Sequence, residues 1–105
     1  MSQALAEAFE KMKARYKKGI VQGTKTFYFS LGEQDGQKWV VTATPDACEV
    51  KQGKIEGADV ILKTSEELFL KLIRGQWVPG MMDFMRGKIK TNDPDGLRLL
   101  KDAFV

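Results

Sequence analysis

Histidine is the side chain most often used to move a proton or hold a transition metal near neutral pH, and this sequence contains none. Its absence removes every Ser-His and Cys-His nucleophile pair. Carboxylates remain, and Asp93 and Asp95 form a close pair, but Asp93 stands directly before Pro94 and is better explained as a helix cap. Cys48 is the one thiol. A lone cysteine makes no internal disulfide and no thiolate cluster for a metal. Its flanks, Ala47 and Glu49-Val50, bring no cation to activate it, so it reads as an ordinary strand residue. The expectation is a protein with no catalytic residues, no metal and no cofactor.

Two other features could carry binding. Lys11, Lys13, Arg15, Lys17 and Lys18 crowd the end of the first segment. They could dock a helix on an anionic membrane, or they are a solvated face whose charge suits the helix C-terminus. The second reading is the simpler. Phe27-Tyr28-Phe29 beside Lys25 is the only aromatic-basic cluster that a single-stranded nucleic acid could stack on. Its alternation turns both phenylalanines to one apolar face, so no nucleic-acid partner is expected. The net charge of +3 decides nothing by itself.

The most informative stretch runs from Leu68 to Met85. Leu68, Phe69, Leu70, Leu72, Ile73, Trp77, Val78, Met81, Met82, Phe84 and Met85 offer more apolar surface than one helical stripe needs. Such a segment is deeply buried, lines a cavity, or forms a contact with a partner, including a homodimer. An interaction module using the Trp77–Met85 surface, without lipid, is the alternative reading. Methionine is unbranched and polarisable, and adapts to variable neighbours. A wall rich in it suits flexible alkyl chains.

The elements that must position these residues follow from periodicity. Leu5, Phe9, Met12 and Tyr16 recur at helical spacing, ending near Gly19. Residues 24–31 alternate Phe27, Phe29 and Leu31 onto one strand face, and residues 37–44 do the same with Trp39, Val41 and Ala43. Asp35-Gly36 marks the turn between them. Shorter strands are expected over 47–51 and 58–63, and short loops make a mostly antiparallel meander the simple arrangement. Thr64-Ser65-Glu66-Glu67 reads as a capping box with Thr64 as N-cap, and Gly75 as the stop of that helix. Pro79 is placed to open a second short helix. Lys88-Ile89-Lys90-Thr91 is a fifth strand, and Asp93-Pro94 starts a last helix with Leu97, Leu100 and Phe104 on one face and Leu99 beside it.

At this point the chain resembles the sterol carrier protein 2 domain. The resemblance rests on Ala58-Asp59-Val60-Ile61-Leu62-Lys63 running into Thr64-Ser65-Glu66-Glu67 and on to Gly75. It continues through Val78-Pro79, Met82-Asp83-Phe84-Met85, Gly87-Lys88-Ile89-Lys90 and Gly96-Leu97. Relatives often carry Asn where Val78 stands, and a glycine-led turn where Thr91-Asn92-Asp93-Pro94 stands. The resemblance implies an α+β fold, with a five-stranded, mostly antiparallel sheet and helices on one face enclosing an apolar tunnel. It implies non-catalytic binding and transfer of a long-chain lipid such as a fatty acid, a fatty acyl-coenzyme A or a sterol. On that basis Phe27, Phe29, Trp39 and Val41 are the expected floor. Phe69, Leu72, Ile73, Trp77, Met81, Met82, Phe84 and Met85 are one wall, and Leu97, Leu100 and Phe104 the far wall. Arg74, Arg86 or Lys88 would meet a headgroup.

A chain of 105 residues fits one domain, residues 1–105. No apolar run approaches the roughly 18 residues of a membrane span. Glu7, Glu10, Lys11 and Lys13 interrupt the first segment, so no signal-peptide core is expected. The last residues carry no Ser-Lys-Leu-like address. A cytoplasmic location is the expectation.

Overall fold

The computed structural model describes residues 3–33, 35–77 and 79–104. In chain order these form helix α1 (Gln3–Arg15), strand β1 (Lys25–Ser30), a 3₁₀ turn (Asp35–Gln37), and strands β2 (Lys38–Ala43), β3 (Cys48–Gln52) and β4 (Val60–Thr64). Helices α2 (Glu66–Ile73) and α3 (Met81–Met85), strand β5 (Ile89–Thr91) and helix α4 (Pro94–Phe104) complete it. The fold is α+β, with one five-stranded, mostly antiparallel sheet and helices over one face.

The strand order is β3-β2-β1-β4-β5, which corrects the expected meander at one step. β4 does not follow β3 but crosses over to lie parallel to β1, with Phe27 opposite Val60 and Phe29 opposite Leu62. The other neighbours are antiparallel. The reason lies in the faces. β1 places Phe27 and Phe29, each 1% exposed, in the core, and a strand this apolar is safest covered on both edges. β3 carries exposed Glu49, Lys51 and Gln52 and suits the edge. A side-chain clamp fixes the crossing. Asp59 Oδ2 accepts the Thr26 N–H at 2.9 Å. Asn92 Oδ1 accepts the Ile61 N–H at 2.7 Å, and its amide donates to the Asp59 carbonyl at 3.3 Å.

The alternating positions of the strands share one core with the helical stripes, and α1 contributes Leu5, Ala8, Phe9 and Met12. Phe9 is the hub. Its ring lies 5.3 Å from Phe29, 4.6 Å from Trp39 and 5.2 Å from Phe69, centroid to centroid. At the other end Phe104 meets Phe27 edge-on at 6.3 Å and Tyr16 at 5.0 Å. Tyr16 lies just beyond α1, and its hydroxyl donates to the Thr44 carbonyl.

Two helix starts differ from expectation. Ser65, not Thr64, caps α2, its Oγ accepting the Leu68 N–H at 3.2 Å. Thr64 belongs to β4, where it pairs with Ile89 and its hydroxyl donates to the Lys88 carbonyl at 2.7 Å. Pro79 does not open α3. Gly80 is the N-cap, because Asp83 reaches back to accept the Gly80 N–H at 2.9 Å. The Gly75 stop holds and Gly87 ends α3 likewise, whereas α1 ends at Arg15, before Gly19, whose N–H donates to the Pro45 carbonyl at 3.0 Å. Gly75 and Gly87 take φ of +73° and +75°, a left-handed geometry that glycine adopts without cost. This lets the next N–H fold back, Gln76 onto the Lys71 carbonyl and Lys88 onto that of Asp83.

Candidate functional site

The crossing of α1, α2 and α4 leaves room that their side chains do not fill. A cleft of about 520 Å³ opens between the end of α2, the segment to α3, α3 itself and α4. That volume falls in the range of small-molecule sites, about 300–1,000 Å³. Its depth is apolar and buried, with Met12, Ile73, Leu100 and Phe104 each 9% exposed or less. Half-buried Leu72, Trp77, Phe84 and Leu97 form the sides. Exposed Arg98, Lys101 and Asp102 stand at the rim. Apolar depth with charge only at the mouth suits an amphipathic guest, not a polar substrate in transit.

Local sequence builds each wall. Leu97, Leu100 and Phe104 fall on one stripe of α4, whose start is set by Asp93 accepting the Asp95 N–H at 3.1 Å. The Gly75 turn ends α2 so that Trp77 and Pro79 come round to face α4. In α3, Phe84 faces the cleft.

The structure therefore brings together seven of the expected residues: Leu72, Ile73, Trp77, Phe84, Leu97, Leu100 and Phe104. The expected floor is elsewhere. Phe27, Phe29 and Val41, together with Phe69 of the expected wall, are at most 1% exposed in the core, where Phe9 packs on Phe29 and Phe69 and Phe104 meets Phe27. Trp39 is stacked on Phe9, its indole N–H donating to the Gly36 carbonyl at 3.0 Å. Met81, Met82 and Met85 point away from the cleft, 80%, 56% and 73% exposed. Val78 lies outside the described residues. Of the expected headgroup cations, Arg74 borders a separate polar recess of about 80 Å³ beside Glu7 and Arg15, while Arg86 and Lys88 are exposed and line neither space.

Met12, Gly75, Pro79, Arg98, Lys101 and Asp102 line the cleft without having been expected there. Arg98 and Lys101, three apart and each next to a residue of the Leu97–Leu100 stripe, had a readable signal. Met12 had one too, on the α1 stripe, but nothing local said that stripe would face α4.

Nucleophilic chemistry finds no foothold in Cys48. It is buried in β3, and burial pushes its thiol up, only partly opposed by the Lys13 ammonium. The Tyr16 hydroxyl is likewise raised, first by burial and then by Cys48 and Asp46. Among the described residues no three His, Cys, Asp or Glu side chains group as metal ligands. No described helix is long and apolar enough to cross a membrane.

The family model described as the SCP-2 sterol transfer family matches residues 2–92. No curated protein matches. Among solved structures, the sterol carrier protein 2 like 2 of Aedes aegypti superposes with a TM-score of 0.59 at 19% identity, covering 93% of this chain and 94% of that one. The palmitated form of an Aedes aegypti protein of that name gives 0.58 at 21% identity, covering 97% and 93%. The inverting sec-alkylsulfatase Pisa1 from Pseudomonas sp. gives 0.72 at 14% identity over 89% of this chain. This chain spans only 15% of that enzyme's length. At these identities the likenesses establish the fold alone.

Proposed function

The chain belongs to the SCP-2 sterol transfer family, and from that premise we propose that it is a non-catalytic carrier of long-chain lipids, holding the acyl chain in the cleft between α2, α3 and α4. One observation carries this reading: a 520 Å³ space walled by Leu72, Trp77, Phe84, Leu97 and Leu100. Burying alkyl chain there is worth roughly 0.8 kcal/mol per methylene. Ordering the ligand returns part of that, leaving enough for micromolar binding of a fatty acid. The polar end of the guest lies at Arg98 and Lys101, which favours an acidic headgroup such as a carboxylate or the phosphates of a coenzyme A thioester. Fatty acids and fatty acyl-coenzyme A fit that demand better than an uncharged sterol. We place the carrier in the cytoplasm. The Lys11–Lys18 cations on and beyond α1 serve solubility and the helix terminus in this reading.

Trp77 offers the test. A Trp39→Phe variant leaves Trp77 as the sole indole, so its emission reports cleft occupancy. Titration with palmitate, palmitoyl-coenzyme A and a sterol is expected to give saturable one-to-one shifts, strongest for the acids, and Leu97→Asp is expected to weaken them. A folded protein whose Trp77 emission is unmoved by all three, with no displacement of a fluorescent fatty-acyl probe, would end the carrier reading.

A further inference from the structure

α3 has five residues, and three of them are methionines set in solvent. At 100° per residue Met81, Met82 and Met85 fall within one arc of about 100°, while Phe84 lies beyond it toward the cleft. Among the described residues, the other exposed large hydrophobics are Ile20 and Ile55, each isolated in a loop. A small protein seldom leaves such a stripe bare without a partner for it.

Charge indicates the partner. The exposed side chains Arg86, Lys88 and Lys90 follow directly on α3. The Lys90 chain folds back against the turn, its Cε 3.6 Å from where a Cβ on Gly87 would stand. The one carboxylate of this stretch, Asp83, is engaged on the Gly80 N–H. An apolar stripe bordered by cations suits a surface that is anionic outside and alkyl within. A second copy of the chain would bring the same cations against each other. The Lys11–Lys18 run is unlike this face, since α1 exposes no large apolar side chain to insert and the loop after it offers Ile20 alone.

We propose that α3 is a docking face for anionic phospholipid bilayers, with Met81, Met82 and Met85 entering the acyl boundary and Arg86, Lys88 and Lys90 meeting lipid phosphates. Because Phe84 of the same helix walls the cleft, docking sets the ligand's exit beside the bilayer.

Co-sedimentation with phosphatidylcholine vesicles, with and without phosphatidylglycerol, tests this. The wild-type protein is expected to bind the anionic vesicles. Met81→Ser/Met85→Ser is expected to lower that partition by about tenfold, and Arg86→Glu/Lys88→Glu to remove the preference for phosphatidylglycerol. Lys13→Glu/Arg15→Glu on α1 is expected to bind as the wild type does. The serine variant's Trp77 response to soluble palmitate should be unchanged, which separates this proposal from the carrier reading. The proposal is overturned by absence of wild-type binding, by equal binding of the serine variant, or by loss of partition in the α1 variant alone. It also fails if the methionines prove to hold a dimer, seen as a wild-type dimer that the serine changes split while vesicle binding persists.

Discussion

Gly96 of α4 packs against Val60 of β4 so closely that a Cβ on it would stand 2.5 Å from Val60 Cγ2 and 2.8 Å from Cγ1. In an exposed helix, replacing glycine by alanine stabilises by about 1 kcal/mol. Here the sign reverses, because Val60 is 1% exposed and its β-branched side chain has no room to move. Gly96→Ala is expected to cost about 1–3 kcal/mol, read from the urea midpoint. Adding Val60→Ala should make the pair less damaging than the sum of the two changes. A rise in stability for Gly96→Ala would show that α4 does not seat on β4 in this way.

Much of this packing was readable in the chain. Alternation at Phe27 and Phe29, the α1 stripe and the glycines that end α2 and α3 each reflect a local constraint with a local signature, whereas Gly96 was legible only through the family resemblance. Strand pairing has none, so the parallel placement of β4 on β1 depended on Asp59 and Asn92, residues 33 apart. The cleft was half legible. Periodicity marks a side chain as apolar but not what covers it, and five-residue α3 turns only Phe84 to the cleft while its methionines face solvent. Met81, Met82 and Met85 therefore read as cavity wall yet stand outside it. Phe27 and Phe29 read as floor yet are covered, Phe27 by Phe104 and Phe29 by Phe9, whose positions only the assembled helix layer decides.

The start of α2 gives a test of register. Ser65→Ala removes the oxygen that accepts the Leu68 N–H and is expected to cost about 1 kcal/mol, with Ser65→Asp close to wild type. Thr64→Val acts differently, unpairing the Lys88 carbonyl while keeping the strand shape, and Thr64→Asp should not rescue it. Rescue by Asp at 64 in place of 65 would move the cap back by one residue.

Alkaline pH should loosen the fold through Cys48 and Tyr16. Both groups are held above their ordinary values, chiefly by burial. Above pH 9 the unfolded chain releases the Cys48 proton while the folded chain keeps it, so the unfolded state binds fewer protons and stability falls as pH rises. Tyr16 adds the same trend above pH 10, where its hydrogen bond to Thr44 also needs the proton. Their stabilisation is whole below pH 9 and is lost as pH climbs through the folded values. Urea midpoints measured from neutrality to pH 11 should fall in the alkaline range, and Cys48→Ala/Tyr16→Phe should flatten that fall. A pH-independent wild type would contradict the burial of both groups.

The mouth of the cleft makes the carrier reading quantitative. Arg98 and Lys101 are exposed at the rim, so water and salt screen them, and each is worth about 0.2–1 kcal/mol to a bound carboxylate. Arg98→Glu/Lys101→Glu should therefore weaken palmitate by roughly three- to thirtyfold once repulsion is added. Added salt should narrow the gap. Hexadecanol, with the same chain and no charge, should bind both proteins alike. Shortening the acid should weaken the wild type and the variant by the same factor per methylene, since the proposed carrier mode sets the chain among Leu72, Trp77 and Leu100 and not at the rim. If the variant loses hexadecanol as well as palmitate, the rim is shaping the cleft rather than reading charge. If it loses neither, the acid head sits at another part of the surface, and Arg74 beside the smaller recess is the next residue to reverse.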